Sequence, residues 1–245
     1  VKMRIAFIVE YDGTDYCGWQ RQKNAVTVQE KIEDALKKLG KGDICVFGAG
    51  RTDSGVHARG QCGHFDMETN IPAEKFAFIL NSYLPKDIRI KRSWQADENF
   101  HCRFSAKGKR YIYRIVNAPH ASALMGRFTL HVPEKLDIPL MQKAAEYIKG
   151  THDFASFCAA GGSAKTTVRT VTRLDVAKTG EIIEITVEGT GFLYNMVRII
   201  AGTLIDVGKH KKTPEQVRDI IEGKVRKFAG ATADAKGLTM DEVFY

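Results

Sequence analysis

The chain has 245 residues, 44% of them hydrophobic, which is enough for one sizeable core or two smaller ones, and a formal net charge of +8. The positive excess points to a polyanionic partner, nucleic acid above all. Five scattered cysteines (Cys17, Cys45, Cys62, Cys102, Cys158), odd in number and never in C-x-x-C spacing, argue against a disulfide framework and fit a reducing compartment.

"RIAFIVE" (Arg4 to Glu10) reads as a buried strand, too short for a signal-peptide core, and no stretch approaches a membrane span, so a cytoplasmic protein is expected. A polar aromatic loop, "YDGTDYCGWQRQ", follows. Thr27 and Glu30 form a capping box for a helix with Ile32, Ala35, Leu36 and Leu39 at helical spacing, closed by Gly40. "ICVFGAG" (Ile44 to Gly50) reads as a second strand and "GQCGHFD" (Gly60 to Asp66) as a third. Pro72 at a first helical position opens "PAEKFAFILNSYL", and "DIRIKRSWQA" returns as a strand.

"KRYIYRIV" (Lys109 to Val116) alternates, with Tyr111, Tyr113 and Ile115 on one face and Arg110, Ile112 and Arg114 on the other. Residues 117 to 135 read as a connection. A helix near 139–149 ends at Gly150, and two strands, "VRTVTRLDVAK" and "EIIEITVEG", join through Thr179-Gly180 as a hairpin. The amphipathic helix "FLYNMVRIIAGTLIDVG" is followed by another opened by the box-like Thr213-Pro214-Glu215-Gln216. Strands and helices mix without a strict βαβ rhythm. The class is therefore α+β, with a largely antiparallel mixed sheet flanked by helices, in two pseudo-repeated halves: 1–106, carrying a Gly-rich loop, and 107–245.

That loop, "GAGRTDSGVHARGQ" (Gly48 to Gln61), sets Asp53 beside Arg51 among Gly48, Gly50, Gly55 and Gly60. Asp and Gly are ordinary turn residues, and an Arg-x-Asp pair on a loop is usually a weak surface contact. The alternative is that the glycines let backbone approach a ligand while Arg51 keeps Asp53 ionised and aimed. His57, His64 and His101 with Cys62 and Cys102 lack metal-ligand spacing on a common helix or turn, so no metal is expected. There is no phosphate-binding G-x-x-x-x-G-K-[ST] loop, and Asp53 would repel a pyrophosphate where a dinucleotide fingerprint wants glycine. Ser54 lies in no G-x-S-x-G elbow, and no second carboxylate stands close in sequence. A lone ionised Asp suits a reaction needing one nucleophile and no water. Arg21, Arg59 and Arg103, with basic runs at Arg89–Arg92, Lys107–Arg110, Lys209–Lys212 and Lys224–Lys227, supply positive charge. Trp19, Phe104, Tyr111 and Tyr113 offer rings for stacking bases.

"YDGTDYCGWQRQ", "TVQEKIEDAL", "GAGRTDSGVHARGQ", "FHCRFSAKGKRYIYRI", "GTHDFASF", "GFLYNMVRIIAGTLIDVG" and "ADAKGL" resemble, in order and over nearly the whole chain, the blocks of the TruA-type tRNA pseudouridine synthases. The resemblance implies the pseudouridine synthase fold and conversion of uridine to pseudouridine at positions 38 to 40 of the tRNA anticodon stem-loop. It further implies a flipped-out target nucleotide, no cofactor or metal, and a homodimer. By that match Asp53 is the catalytic aspartate, Tyr111 stacks on the target uracil, Arg51 aids extrusion of the nucleotide, and Arg198 pairs with the aspartate across the cleft. Leu238 packs at the site wall, and Arg21, Arg59, Arg103, Lys109 and Arg110 are the RNA-binding candidates. Cys158 stands where relatives often carry a basic residue, a departure that bears on one tRNA contact and not on the chemistry. Two other readings are a catalytically silent RNA-binding module and a metal-dependent nuclease, the latter short of the extra carboxylates magnesium wants. Whether Asp53 attacks C1′, attacks C6 or takes a sugar proton is left open.

Overall fold

The computed structural model describes residues 2–40 and 42–245. The chain divides into two compact units, Val1–Lys107 with Met240–Tyr245, and Gly108–Thr239. The last six residues thus return to the first unit, whereas the sequence division puts them in the second half. The cause is a closing strand that no local pattern assigns to either half.

In the first unit, β1 (Lys2–Tyr11) lies between β3 (His57–Glu68) and β4 (Ile88–Gln95), antiparallel to both. Ile5, Ala6, Phe7 and Val9 are fully buried, as expected of a strand covered on both faces. Helix α1 (Val28–Lys37) starts at Thr27, whose hydroxyl accepts from the Glu30 amide at 3.3 Å. Gly40, at φ +71°, lies just past its end, as the sequence reading has it.

The strand expected over 44–50 contracts to β2, Phe47–Gly48, on β3. The backbone of Val46 is already spoken for: its amide donates to Glu33 Oε1 at 3.1 Å, and its carbonyl accepts from Gln29 Nε2 at 3.0 Å. Side chains of α1 have taken the ladder's place.

Pro72, at ψ 135°, precedes the helix rather than opening it. Residues Ala73–Lys75 form a 3₁₀ turn, and α2 runs Phe76–Tyr83. Ser93 Oγ donates to the Ala73 carbonyl and accepts from the Ala77 amide, intercepting the bond that would have closed the first α-turn. Asn81 clips α2 to β4 through both the amide and the carbonyl of Ile90. The closing strand, β10 (Leu238–Phe244), runs beside β3 in this unit over its Met240–Phe244 part.

In the second unit the order is β5 (Gly108–Val116), β9 (Ile182–Gly189), β8 (Val168–Thr179) and β7 (Gly150–Asp153), all antiparallel. The two-residue β6 (Leu130–His131) runs parallel to β5. Tyr111, Tyr113 and Ile115 do share the buried face of β5. The β8–β9 hairpin turns on Gly180-Glu181, with Thr179 already paired to Ile182. Helix α3 (Ile138–Ile148) is capped by Asp137, and α5 (Pro214–Gly223) by a complete box between Thr213 and Gln216.

The amphipathic helix expected from Phe192 begins four residues later, as α4 (Met196–Gly208). Asn195, in the left-handed region at φ +58°, breaks the helical path before Met196. Of the thirteen residues of α4 only Arg198 and Asp206 are not buried.

Candidate active site

Asp53 sits half-buried on the irregular loop between β2 and β3, two residues from the exposed Arg51. A second loop, residues 12–19, fixes its backbone. The Trp19 amide donates to the Thr52 carbonyl at 3.1 Å, and the Gly55 amide and Ser54 hydroxyl donate to the Tyr16 carbonyl at 3.2 and 3.3 Å. Two glycines permit this docking. A Cβ on Gly18 (φ +79°) would lie 2.4 Å from the Thr52 oxygen, and one on Gly13 would lie 1.9 Å from the Val56 oxygen. Beneath the loop, the Tyr11 hydroxyl and Thr52 Oγ1 share a buried hydrogen bond of 2.7 Å, and Gln61 Nε2 donates to the Gly50 carbonyl at 2.7 Å. Burial pushes the Tyr11 phenol up, so it stays a neutral hydrogen-bonding group. Gly48 lies so close under Trp19 that a Cβ would meet the indole at 2.5 Å. His57, also buried, accepts from the Gly13 amide at 2.9 Å through Nδ1 and lies 3.2 Å from Asp12 Oδ1.

In the second unit, Arg198 projects from the first turn of α4. Its Nε donates to the Ala233 carbonyl at 2.7 Å and its Nη1 to Asn195 Oδ1 at 3.1 Å, while the Ala233 amide donates back to the Arg198 carbonyl. The left-handed turn at Asn195 aims its amide at that guanidinium. Segment 229–238 reaches the helix because Gly202 and Gly230 meet there. A Cβ on Gly202 would fall 1.9 Å from the Ala231 oxygen. Leu238 is buried at the end of this segment. It follows Gly237, which presses on the Tyr113 ring, and the Tyr113 hydroxyl donates to the Asp234 carbonyl at 2.7 Å. Tyr111 is nearly buried and stands edge-on to Phe192, with ring centroids 5.3 Å apart.

The basic candidates fare unequally. Arg21 is held by Glu33 at 2.6 Å, Arg110 by Glu188 at 2.6 Å, and Arg59 lies 3.5 Å from Asp241. Lys109 is paired in the β5 ladder opposite Gly189. Arg103 lies over the exposed ring of Phe104. The late basic runs are largely structural, since Lys209, Lys212 and Lys224 pair with Glu134, Asp206 and Asp153. Of the four rings offered for stacking, Trp19 (2% exposed) and Tyr113 (0%) are corrected to core residues. Both carry polar atoms but lie under glycine contacts that admit no base.

Topology, not sequence spacing, gathers His64, His101 and Cys102, whose ligand atoms lie within 4.8 Å of one another. Backbone amides decide the tautomers. Cys102 N–H donates to His64 Nδ1 at 3.4 Å, and those of Arg103 and Phe104 donate to His101 Nδ1 at 3.1 and 3.4 Å. Both neutral imidazoles therefore carry their proton on Nε2, where a cation would need a lone pair. Burial, with the neighbouring His101, pushes His64 down to about 4.

Sequence reasoning overlooked Tyr11, Thr52 and Gln61, which hold the Asp53 loop, and Asn195, which holds Arg198. Gln61 is fully buried, but its strand also carries His57, Arg59, His64, Asp66 and Glu68, so nothing in the sequence sets it apart.

A family described as tRNA pseudouridine synthase matches residues 7–105 and 144–245. The chain is 50% identical over 241 residues to tRNA pseudouridine synthase A of Acetivibrio thermocellus, covering 98% of this chain and 99% of that one. It is 51% identical over 243 residues to the protein of the same name from Ruminiclostridium cellulolyticum, covering 99% of each. With that of Brevibacillus brevis it shares 50% over 242 residues, again 99% of each. The chain belongs to the tRNA pseudouridine synthase family, enzymes that isomerise uridine to pseudouridine.

Proposed function

We propose that this enzyme modifies uridines at positions 38 to 40 of the tRNA anticodon stem-loop, with Asp53 as its catalytic aspartate. The observation that carries the assignment is the bracing of the Asp53 loop: five hydrogen bonds and three close glycine contacts fix a short irregular segment whose one carboxylate, that of Asp53, is half-buried. A loop held this firmly serves placement of a side chain. Relatives named tRNA pseudouridine synthase A, at about half identity over nearly the full chain, support the substrate.

The chemistry asks for little else. The C1′–N1 bond breaks, the uracil turns, and C1′ joins C5; the C5 proton leaves to solvent and N1 takes one up. No group is transferred from outside, so the reaction requires no cofactor. Water must be kept from the freed sugar carbon. A uridine paired in a stem has to be flipped out, at an unpairing cost of a few kcal/mol. In this reading Asp53 reacts at the nucleotide, Tyr111 stacks on the uracil, and Arg51 and Arg198 bind the nucleotide and steady the carboxylate. Leu238 packs beside the base, and Arg103 with the other basic candidates contacts the RNA backbone. The enzyme works in the cytoplasm, as a homodimer.

Tritium release from tRNA labelled at uridine C5 tests this. The parent is expected to release tritium, with Asp53→Ala and Asp53→Asn releasing none while still binding tRNA. Full release by either variant removes Asp53 from the chemistry, and no release by the parent removes the proposed substrate.

A further inference from the structure

Phe104 is 77% exposed, an unusual place for a large apolar ring in a turn built this tightly. The His101 carbonyl accepts from the Ser105 amide at 2.8 Å, and Ser105 Oγ accepts from the His101 amide at 3.0 Å. His101 Nδ1 takes the amides of Arg103 and Phe104, as described above. The ring is backed by others. Its centroid is 4.3 Å from that of His101, which lies 4.7 Å from His64 and 5.6 Å from Phe47, and Phe47 stacks on His64 at 5.0 Å. The Arg103 guanidinium lies 5.7 Å from the Phe104 centroid. Phe78 and Phe228 are also exposed, but among the described residues neither has a second ring behind it.

We propose that Phe104, braced by His101 and flanked by Arg103, is a stacking platform for an unpaired nucleobase of the RNA, outside the nucleotide being isomerised. The proposal rests on the reading that tRNA is the substrate. A nucleobase fits the chemistry better than an apolar protein side chain. It brings a flat π-face for the ring and a phosphate within reach of a guanidinium, and it needs no neighbouring groove. The rigid turn means that little ordering entropy is lost when a base lands.

Fluorescence titration with transcribed tRNA, beside tritium release under the same conditions, tests it. Phe104→Ala and Phe104→Leu are expected to weaken tRNA binding about ten-fold. Phe104→Trp should bind like the parent, with its emission quenched by tRNA beyond the quenching seen in the parent. Arg103→Ala should lower the salt dependence of binding by about one counterion, which Phe104→Ala leaves unchanged. An active parent whose Phe104→Ala variant binds tRNA as tightly overturns the platform and leaves the enzyme's function standing. So does a Phe104→Ala variant that changes only the sedimentation of the protein, which would make the ring a contact between copies. A parent that neither binds tRNA nor releases tritium fails at the function itself.

Discussion

The Asp53 loop and the Arg198 turn hold their charged side chains by opposite means. Asp53 stands on a segment without regular structure, fastened by hydrogen bonds that arrive from Tyr11, Trp19, Tyr16 and Gln61. Arg198 stands on a helix buried almost throughout, and its guanidinium is steered by one neighbouring carbonyl and one amide. The first arrangement concentrates positioning in a few polar contacts that the core does not need. In the second, positioning and stability share the same close packing, so one cannot be disturbed without the other.

The largest effect that separates them comes from their glycines. Gly202→Ala, whose Cβ would sit 1.9 Å from the Ala231 oxygen, is expected to cost about 3 kcal/mol of unfolding free energy in urea titration. Gly18→Ala should instead show mainly in catalysis, lowering kcat about 100-fold by shifting the Asp53 loop while unfolding changes less. Equal losses of stability in the two variants would erase the distinction.

Next comes pH. His64 titrates near 4 in the fold, below its unfolded value near 6.5, so the unfolded chain takes up the proton first as pH falls. Stability is full above pH 6.5, declines between about 6.5 and 4, and is then constant with respect to this group, by no more than about 3 kcal/mol. Thermal unfolding across that window should steepen in the parent and flatten in His64→Gln. A variant as steep as the parent assigns the slope elsewhere.

Smaller still, Tyr11→Phe removes the bond to Thr52 and should cost about 1 kcal/mol. If Tyr11 positions Asp53, kcat falls several-fold, KM for tRNA holds, and combining it with Thr52→Val adds little further. Smallest of all, Lys209→Ala with Lys212→Ala should leave tRNA binding within about two-fold of the parent, because both ammoniums are occupied by carboxylates on the protein.

Much of this molecule is legible in its sequence. The caps at Thr27 and Thr213 and the alternation of β5 are local signals, and the helices and strand they announce are present. The failures share a cause. Gln29 and Glu33 claim the backbone of Val46, Ser93 interrupts the first turn of α2, and Arg21 is drawn to Glu33. Each is a side chain reaching a backbone or partner that sequence separation hides. The Asp53 loop was visible as a motif, yet its supports were not, since Tyr11, Thr52 and Gln61 look like an ordinary strand end, turn and strand until the sheet register brings them together. Sequence spacing dismisses His64, His101 and Cys102 as a cluster for the same reason.

The return of Met240–Phe244 to the side of β3 has a consequence for the order in which the protein is made. While the ribosome works through the intervening stretch of about 130 residues, at roughly 5–20 residues per second, the first unit waits for its last strand for roughly 7–26 seconds. Beyond the residues engaged by β2 and Ala49, that edge of β3 offers bare amides and carbonyls to any passing strand. A nascent chain stalled in that interval is the form of this enzyme most exposed to aggregation and most in need of a chaperone.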